Sequence, residues 1–421
     1  MSKSDARRAV EVVWRMESAR IVGALARYTG EFSLAEDLAQ EALAEALVSW
    51  AVDGIPAEPV GWLLTVGRRR AIDTFRRRAG RDERYRLLAR DLDEGLPGAD
   101  ALFNVDAIDD DVLALMFTSC HPVLSKESRI ALTLRVVGGL TTDEIAKAFL
   151  VSVPTIQARI TRAKKTLAAT HVPFVVPERH EMAERLGSVL HVIYVIFTEG
   201  SSASTGSDWI RTDLTSEARR LVRVLVRLEP EPEVFGLLAL LELTAARFPA
   251  RVDALGRSVL LEDQDRRLWD QAAIRRGQAA LARAVGAGRG LGAYGLQASI
   301  AECHARARSV SETDWPRIVI LYEALGRLTP SPIIELGRAV AVAMASGPAD
   351  GLELVDAIAQ RGELAGSHVL PSIRGELLTR LHRRDEAQSA YQAAIGLCGN
   401  AVERAALERK LDGLVDGSDI R

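Results

Sequence analysis

Nine arginines crowd into residues 68–86 of this 421-residue chain, a density of positive charge that needs a chemical partner. Arg68, Arg69, Arg70, Arg76, Arg77, Arg78, Arg81, Arg84 and Arg86 are set against only Asp73, Asp82 and Glu83. Guanidinium groups packed so closely repel one another unless anions lie between them. Nucleic-acid phosphates, spaced along a backbone, supply that counter-charge. A second cationic cluster lies in LTTDEIAKAFLVSVPTIQARITRAKKTL (140–167). There Thr155, Gln157, Arg159, Arg162, Lys164 and Lys165 fall on the outer side of a helix with no acid among them. Gln and Arg have the donor and acceptor geometry to read base edges in a groove. The chemistry these residues offer is recognition of a polyanion, with no bond made or broken.

Such side chains act only if helices aim them. In EPVGWLLTVGRRRAIDTFRRRAGRDERYR (58–86), Pro59 suits a first helical turn, and Trp62, Leu63, Val66, Ile72 and Phe75 supply a buried stripe. In the second cluster, Thr141 or Thr142 caps a helix whose first turn carries Asp143 and Glu144, with Ile145, Ala146 and Phe149 inward. A short turn through Val151 and Ser152 leads to a helix opened by Pro154, which buries Ile156, Ile160, Ala163 and Leu167. This is a helix-turn-helix whose second helix can enter a major groove. Upstream, FSLAEDLAQEALAEALVSW (32–50) sets Glu36, Asp37, Glu41 and Glu45 against Leu34, Leu38 and Leu43, giving a helix with an acidic and an apolar side.

The chain as a whole reads as all-α, with helical periodicity nearly throughout and no alternating strand pattern. A first block spans 8–80, a polar, acidic linker 81–108, a second block 109–170, and a third region 180–412 after Pro173 and Pro177. Net charge of −3 is uninformative, because residues 1–170 hold 24 Lys+Arg against 24 Asp+Glu; clustering is what counts. In the third region RIVILYEAL (317–325), GLELVDAIA (351–359) and EAQSAYQAAI (386–395) align on Tyr322, Val355 and Tyr391, separated by 33 and 36 residues. That period points to tetratricopeptide-like helix pairs. The apolar run Val189–Phe197 contains His191 and is far shorter than the roughly 20 residues a membrane span requires, so it reads as a core helix with a core histidine. A charged N-terminus without an apolar core segment, and three scattered cysteines, place the protein in a reducing cytoplasm with no membrane association.

Taken together, residues 32–50, PVGWLLTVGRRRAIDTFRRR and the helix-turn-helix resemble regions 2 and 4 of sigma factors of the extracytoplasmic-function (ECF) group, RNA polymerase subunits of the sigma-70 family. The family usually carries Asn where Arg69 stands. The resemblance implies that Asp37, Leu38, Gln40 and Glu41 dock on core RNA polymerase. It also implies that Arg68, Arg69, Arg70, Arg76, Arg77 and Arg78 bind the promoter −10 element, and that Ser152, Thr155, Gln157, Arg159, Arg162 and Lys165 bind the −35 element. From about residue 171, FTEGSSAS, LLALLELTAARFPAR, LLEDQDRRLWD and TDWPRIVILYEAL are similar to the long helical extension of one subgroup. The extension is expected to touch the sigma domains or an outside protein and to modulate activity.

Enzymatic readings are weaker. Glu262, Asp263 and Asp265 precede Arg266 and Arg267 and read as salt bridges and caps; Cys303 and His304 are chain neighbours, about 100° apart on a helix. Residues 285–292 lack the Lys-Ser/Thr of a phosphate loop. No catalytic residue, metal or cofactor is expected. The rival class is a helix-turn-helix regulator with a helical sensing domain, and it has no need of an acidic helix followed by an arginine-rich one.

Overall fold

A computed structural model describes residues 3–79, 105–149, 151–201, 212–251, 259, 261, 263–399 and 401–415. Arg81, Arg84, Arg86, Glu262 and most of the linker lie outside the described residues. Among those described, every regular element is a helix, as the periodicity requires. The chain divides into two compact units, Met1–Val195 and Ile196–Arg421.

The first unit opens with α1 (Lys3–Thr29), α2 (Phe32–Asp53) and α3 (Pro59–Ala79). Ile21, Leu25, Leu38, Trp50, Leu63 and Phe75 are fully buried between them. Trp50 and Trp62 meet edge to face at 5.7 Å, an arrangement aromatic quadrupoles favour. Gly30 and Gly54 have positive φ and mark the ends of α1 and α2. The second block comprises α4 (Val105–Ser119), α5 (Lys126–Val136), α6 (Thr142–Ala148) and α7 (Val153–Ala169). Its first helix begins within the stretch read as linker. Cys120 is buried beside Thr133 and Ser119, and burial pushes its thiol up to about 11, so it is an inert core residue.

Helix α8 (Arg179–Ser201) begins in the first unit and ends in the second. Val189, Leu190, Val192, Ile193, Ile196 and Phe197 form its buried stripe. His191 is exposed on the opposite side, which corrects its reading as a core residue: the helical period assigns the inward positions to its neighbours. No described helix is long and apolar enough to cross a membrane.

In the second unit, α9 (Thr212–Leu228) and α10 (Pro232–Ala245) precede α11 (Gln271–Gly286) and α12 (Ala293–Arg306). Glu242 of α10 has no solvent exposure and is held by Arg219, Arg223 and Arg276. Burial raises its pKa, but these arginines outweigh burial and keep it below the ordinary carboxylate range. Asp265 caps a short 3-10 turn at the Arg267 amide, 3.0 Å, and pairs with the Arg267 guanidinium.

The chain then runs through α13 (Trp315–Leu328), α14 (Pro332–Ala345), α15 (Pro348–Gln360), α16 (Val369–Arg380), α17 (Arg384–Leu397) and α18 (Ala401–Val415), each packed on the next. The aligned residues Tyr322, Val355 and Tyr391 sit on α13, α15 and α17. Tyr391 lies against Gly375, where an added Cβ would come 3.0 Å from the ring, and Tyr322 lies similarly against Gly337. Each Tyr-on-Gly contact lets neighbouring helices approach closely, Tyr322 with the helix after its own and Tyr391 with the helix before. At the end of the chain His368 Nε2 pairs with Glu403 at 3.1 Å, and the buried thiol of Cys398 lies nearby. Cys398 belongs to the apolar cluster of Tyr391, Ala394 and Leu407.

Candidate nucleic-acid interface and docking helix

The helix-turn-helix is built locally. Thr141 and Glu144 form a reciprocal capping box: the Thr141 amide donates to Glu144 Oε2 at 2.8 Å and the Glu144 amide donates to Thr141 Oγ1 at 3.1 Å. Ser152 caps α7 by accepting the Thr155 amide at 3.3 Å, with Pro154 in the first turn. Ile156, Ile160, Ala163 and Leu167 are buried as their spacing predicts. Gln157, Arg162 and Lys165 are exposed, while Thr155 and Arg159 are half-buried. The base-reading edge of α7 therefore faces outward. Ser152 is exposed, but its hydroxyl is committed to the cap.

The arginines of α3 divide into two sets. Arg76 and Arg77 are exposed near the end of the helix, and Arg78 is in its last turn. Arg77 folds back to the Asp73 carbonyl at 3.2 Å. Arg69 and Arg70 turn toward α2, bonding Glu45 at 2.6 and 2.7 Å, and Arg70 also reaches Glu41 at 3.2 Å. The Arg70 hydrogen bond, with Arg69 assisting, holds the Glu45 carboxyl below the ordinary carboxylate value. Arg68 lies 5.2 Å from the Tyr28 ring centroid, and burial holds its guanidinium below the usual arginine value.

On α2 the residues expected to dock are distributed unevenly. Leu38 is 2% exposed and belongs to the core, so it sets the position of the helix. Asp37 accepts Lys164 Nζ at 2.6 Å, and Gln40 Oε1 accepts Arg135 Nη2 at 2.7 Å. Glu36, itself 5% exposed, accepts the same Lys164 at 2.6 Å and lies 3.9 Å from Arg135. Lys164 comes from α7 and Arg135 from α5, so cations of the second block reach the start of the acidic side of α2, where Asp37 and Glu41 stay exposed. Burial works against the Lys164 charge, but Glu36 and Asp37 outweigh it and hold its pKa above the ordinary lysine value.

Sequence reasoning missed this pairing, because residues 127 or 128 positions apart carry no local sign of contact. It also missed an apolar strip on α2, where Leu47, Val48 and Val52 are exposed. The signal was present: LVSWAV is more apolar than one buried stripe needs.

Comparison with known proteins follows the same division of the chain. Residues 14–81 match the model of sigma-70 region 2 and residues 114–167 that of sigma-70, region 4; residues 185–285 match a family of unknown function (DUF6596). An uncharacterized protein of Rhizobium meliloti (strain 1021) is 44% identical over 93% of this chain and 93% of its own length. ECF RNA polymerase sigma factor SigK of Mycobacterium tuberculosis (strain ATCC 25618 / H37Rv) and of Mycobacterium bovis (strain BCG / Pasteur 1173P2) is 27% identical over 35% of this chain and 78% of its own length. No solved structure matches the chain.

Proposed function

Because this chain belongs to the sigma-70 family, as an ECF-type factor with a helical C-terminal extension, we propose that α2 docks it on core RNA polymerase while α3 and α7 share the promoter. It is a sigma factor directing transcription initiation. In this reading Asp37, Gln40 and Glu41 meet polymerase, with Leu38 fixing their helix. Arg76, Arg77 and Arg78 meet the −10 element directly, and Arg68, Arg69 and Arg70 contribute after rearrangement. Thr155, Gln157, Arg159, Arg162 and Lys165 read the −35 element from the major groove, with Ser152 holding the helix start. The protein works in the cytoplasm by binding alone, and phosphodiester synthesis stays with the polymerase.

The observation carrying this reading is the outward, acid-free edge of α7 downstream of an arginine-bearing α3 and an acidic α2. An ordinary repressor has use for the first of these only. The extension modulates the factor, and support comes from the start of α8: Ser188 Oγ donates to the Cys120 carbonyl at 2.6 Å and accepts from Arg129 at 2.8 Å.

Transcription in vitro tests the assignment. Full-length protein added to core polymerase, on a promoter mapped after overexpression, is expected to give discrete transcripts. Gln157→Ala or Arg159→Ala should relax preference at one or two upstream bases, each worth about 1–3 kcal/mol. Absence of core binding would overturn the polymerase assignment; equal loss of affinity on all sequences would reduce α7 to a phosphate binder.

A further inference from the structure

The last three helices of the chain bring a histidine, a cysteine and a glutamate together where their ends meet. His368 immediately precedes α16, Cys398 immediately follows α17, and Glu403 lies in the first turn of α18. One ligand atom from each, an imidazole nitrogen, the Cys398 Sγ and a Glu403 carboxylate oxygen, falls within 4.8 Å of the other two. Among the described residues no other set of three such groups comes together in this way. We propose that His368, Cys398 and Glu403 bind one zinc ion, which ties the ends of the three helices together. The site stands independently of the polymerase and promoter assignments.

The donor set selects the metal. Thiolate, imidazole and carboxylate in a four-coordinate shell suit zinc, whereas calcium and magnesium demand oxygen donors. Zinc lies about 2.0–2.2 Å from nitrogen or oxygen and about 2.3 Å from sulfur, so ligand atoms on a tetrahedron around it are about 3.3–3.7 Å apart. His368 Nε2 and Glu403 Oε2 stand 3.1 Å apart, already close to such an edge. Both side chains are half-buried and have room to turn toward Cys398, itself 1% exposed.

Two of the ligands stand on backbone that the fold holds in place. The Ser372 amide and hydroxyl both donate to the His368 carbonyl, at 3.0 and 2.8 Å. Arg404 Nε donates to the Cys398 carbonyl at 3.2 Å. Binding therefore asks for side-chain rotation and little else.

Charge balances as well. Zinc, one thiolate, one carboxylate and a neutral imidazole sum to zero, which suits a site with little access to water. The zinc–sulfur bond forms as the S–H bond breaks, and the thiol proton passes to solvent. His368 keeps its proton on Nδ1 while Nε2 meets the metal, and a water takes the fourth position. Glu403 also supports the charge of Arg251, so zinc competes with that guanidinium for the carboxylate.

The test uses the full chain, purified without a histidine tag, stripped with a chelator and titrated with zinc against a chromophoric indicator. Cobalt(II) is titrated in parallel. One equivalent of either metal is expected to bind, cobalt should give a thiolate-to-metal charge-transfer band, and the Tm should rise with free zinc. His368→Gln and Glu403→Gln change half-buried side chains and are expected to fold. Both should weaken zinc binding by more than the roughly 10–100-fold that changes outside the ligand shell cost. Cys398→Ser should abolish the charge-transfer band at every cobalt concentration; if it fails to fold, the wild-type band and the other two variants decide. Absence of bound zinc in the wild type, or cobalt bound without the band, overturns the site. So does zinc affinity unchanged in His368→Gln and Glu403→Gln, which would put the ion on other residues.

Discussion

At the scale of single residues, an arginine-rich helix is not a uniform cationic rod. Arg69 and Arg70 bond Glu45 of α2, and Arg76 and Arg77 lie exposed near the end of α3. Replacing Arg76 and Arg77 by Ala is expected to reduce the slope of log K against log salt for promoter binding by about 0.7–0.9 per lost phosphate contact. Replacing Arg69 by Ala should move that slope less, because Glu45 competes with phosphate. Glu45→Gln should steepen it by releasing Arg69, while Arg70 keeps Glu41. The sign with pH follows from the depressed Glu45 pKa. The pair stabilises the fold above the unfolded carboxylate value, about 4.3, and is lost only as pH falls through the lower folded value. The Glu45→Gln effect should thus be constant between about pH 6 and 8. A salt slope that shifts equally for all these arginines, or a Glu45→Gln effect that titrates in that window, would contradict the division.

At the scale of elements, Ser152 shows a helix cap standing at a position also expected to meet DNA. Its position ahead of α7 fits either a phosphate contact or a helix cap, and its hydroxyl accepts the Thr155 amide. Ser152→Ala is expected to cost about 1 kcal/mol in stability, the usual loss for a cap. Ser152→Asp separates the roles, since aspartate caps as well as serine but repels phosphate. Thermal melting should show Asp close to wild type, and promoter affinity should then tell whether DNA also uses this position. The helix-turn-helix was legible because caps, Pro154 and the apolar spacing act within one or two turns. The helix pairs were legible because Tyr322, Val355 and Tyr391 recur at a regular interval. What escaped was tertiary: Leu38 is buried although it lies in the docking motif, and Glu36 takes its cation from 128 residues away. Glu242, inside LLALLELTAARF, was visible only as an acid in an apolar run, and nothing local announced its three arginines.

At the scale of the molecule, the question is how an extension of more than two hundred residues could reach a promoter-binding module. Helix α8 is the physical candidate, because its first turns are held by the second block and its last turns belong to the second unit. Ser188 anchors those first turns: one hydroxyl donates to the Cys120 carbonyl and accepts from Arg129, while Arg185 reaches the Phe117 carbonyl at 3.5 Å. Removing that hydroxyl leaves a part-buried carbonyl and a guanidinium without it, a loss of about 1–3 kcal/mol. In full-length Ser188→Ala, amide exchange should therefore accelerate in α4, in α5 and in the first half of α8, ahead of any change in α15 to α17. If α8 transmits the state of the extension, the same variant should also alter transcription at saturating core polymerase, where docking affinity no longer limits. Unchanged protection in α4 and α5 would mean that the α8 contact contributes nothing to the second block. Altered protection with unchanged transcription would make α8 a strut, and control by the extension would have to enter through a surface other than this helix.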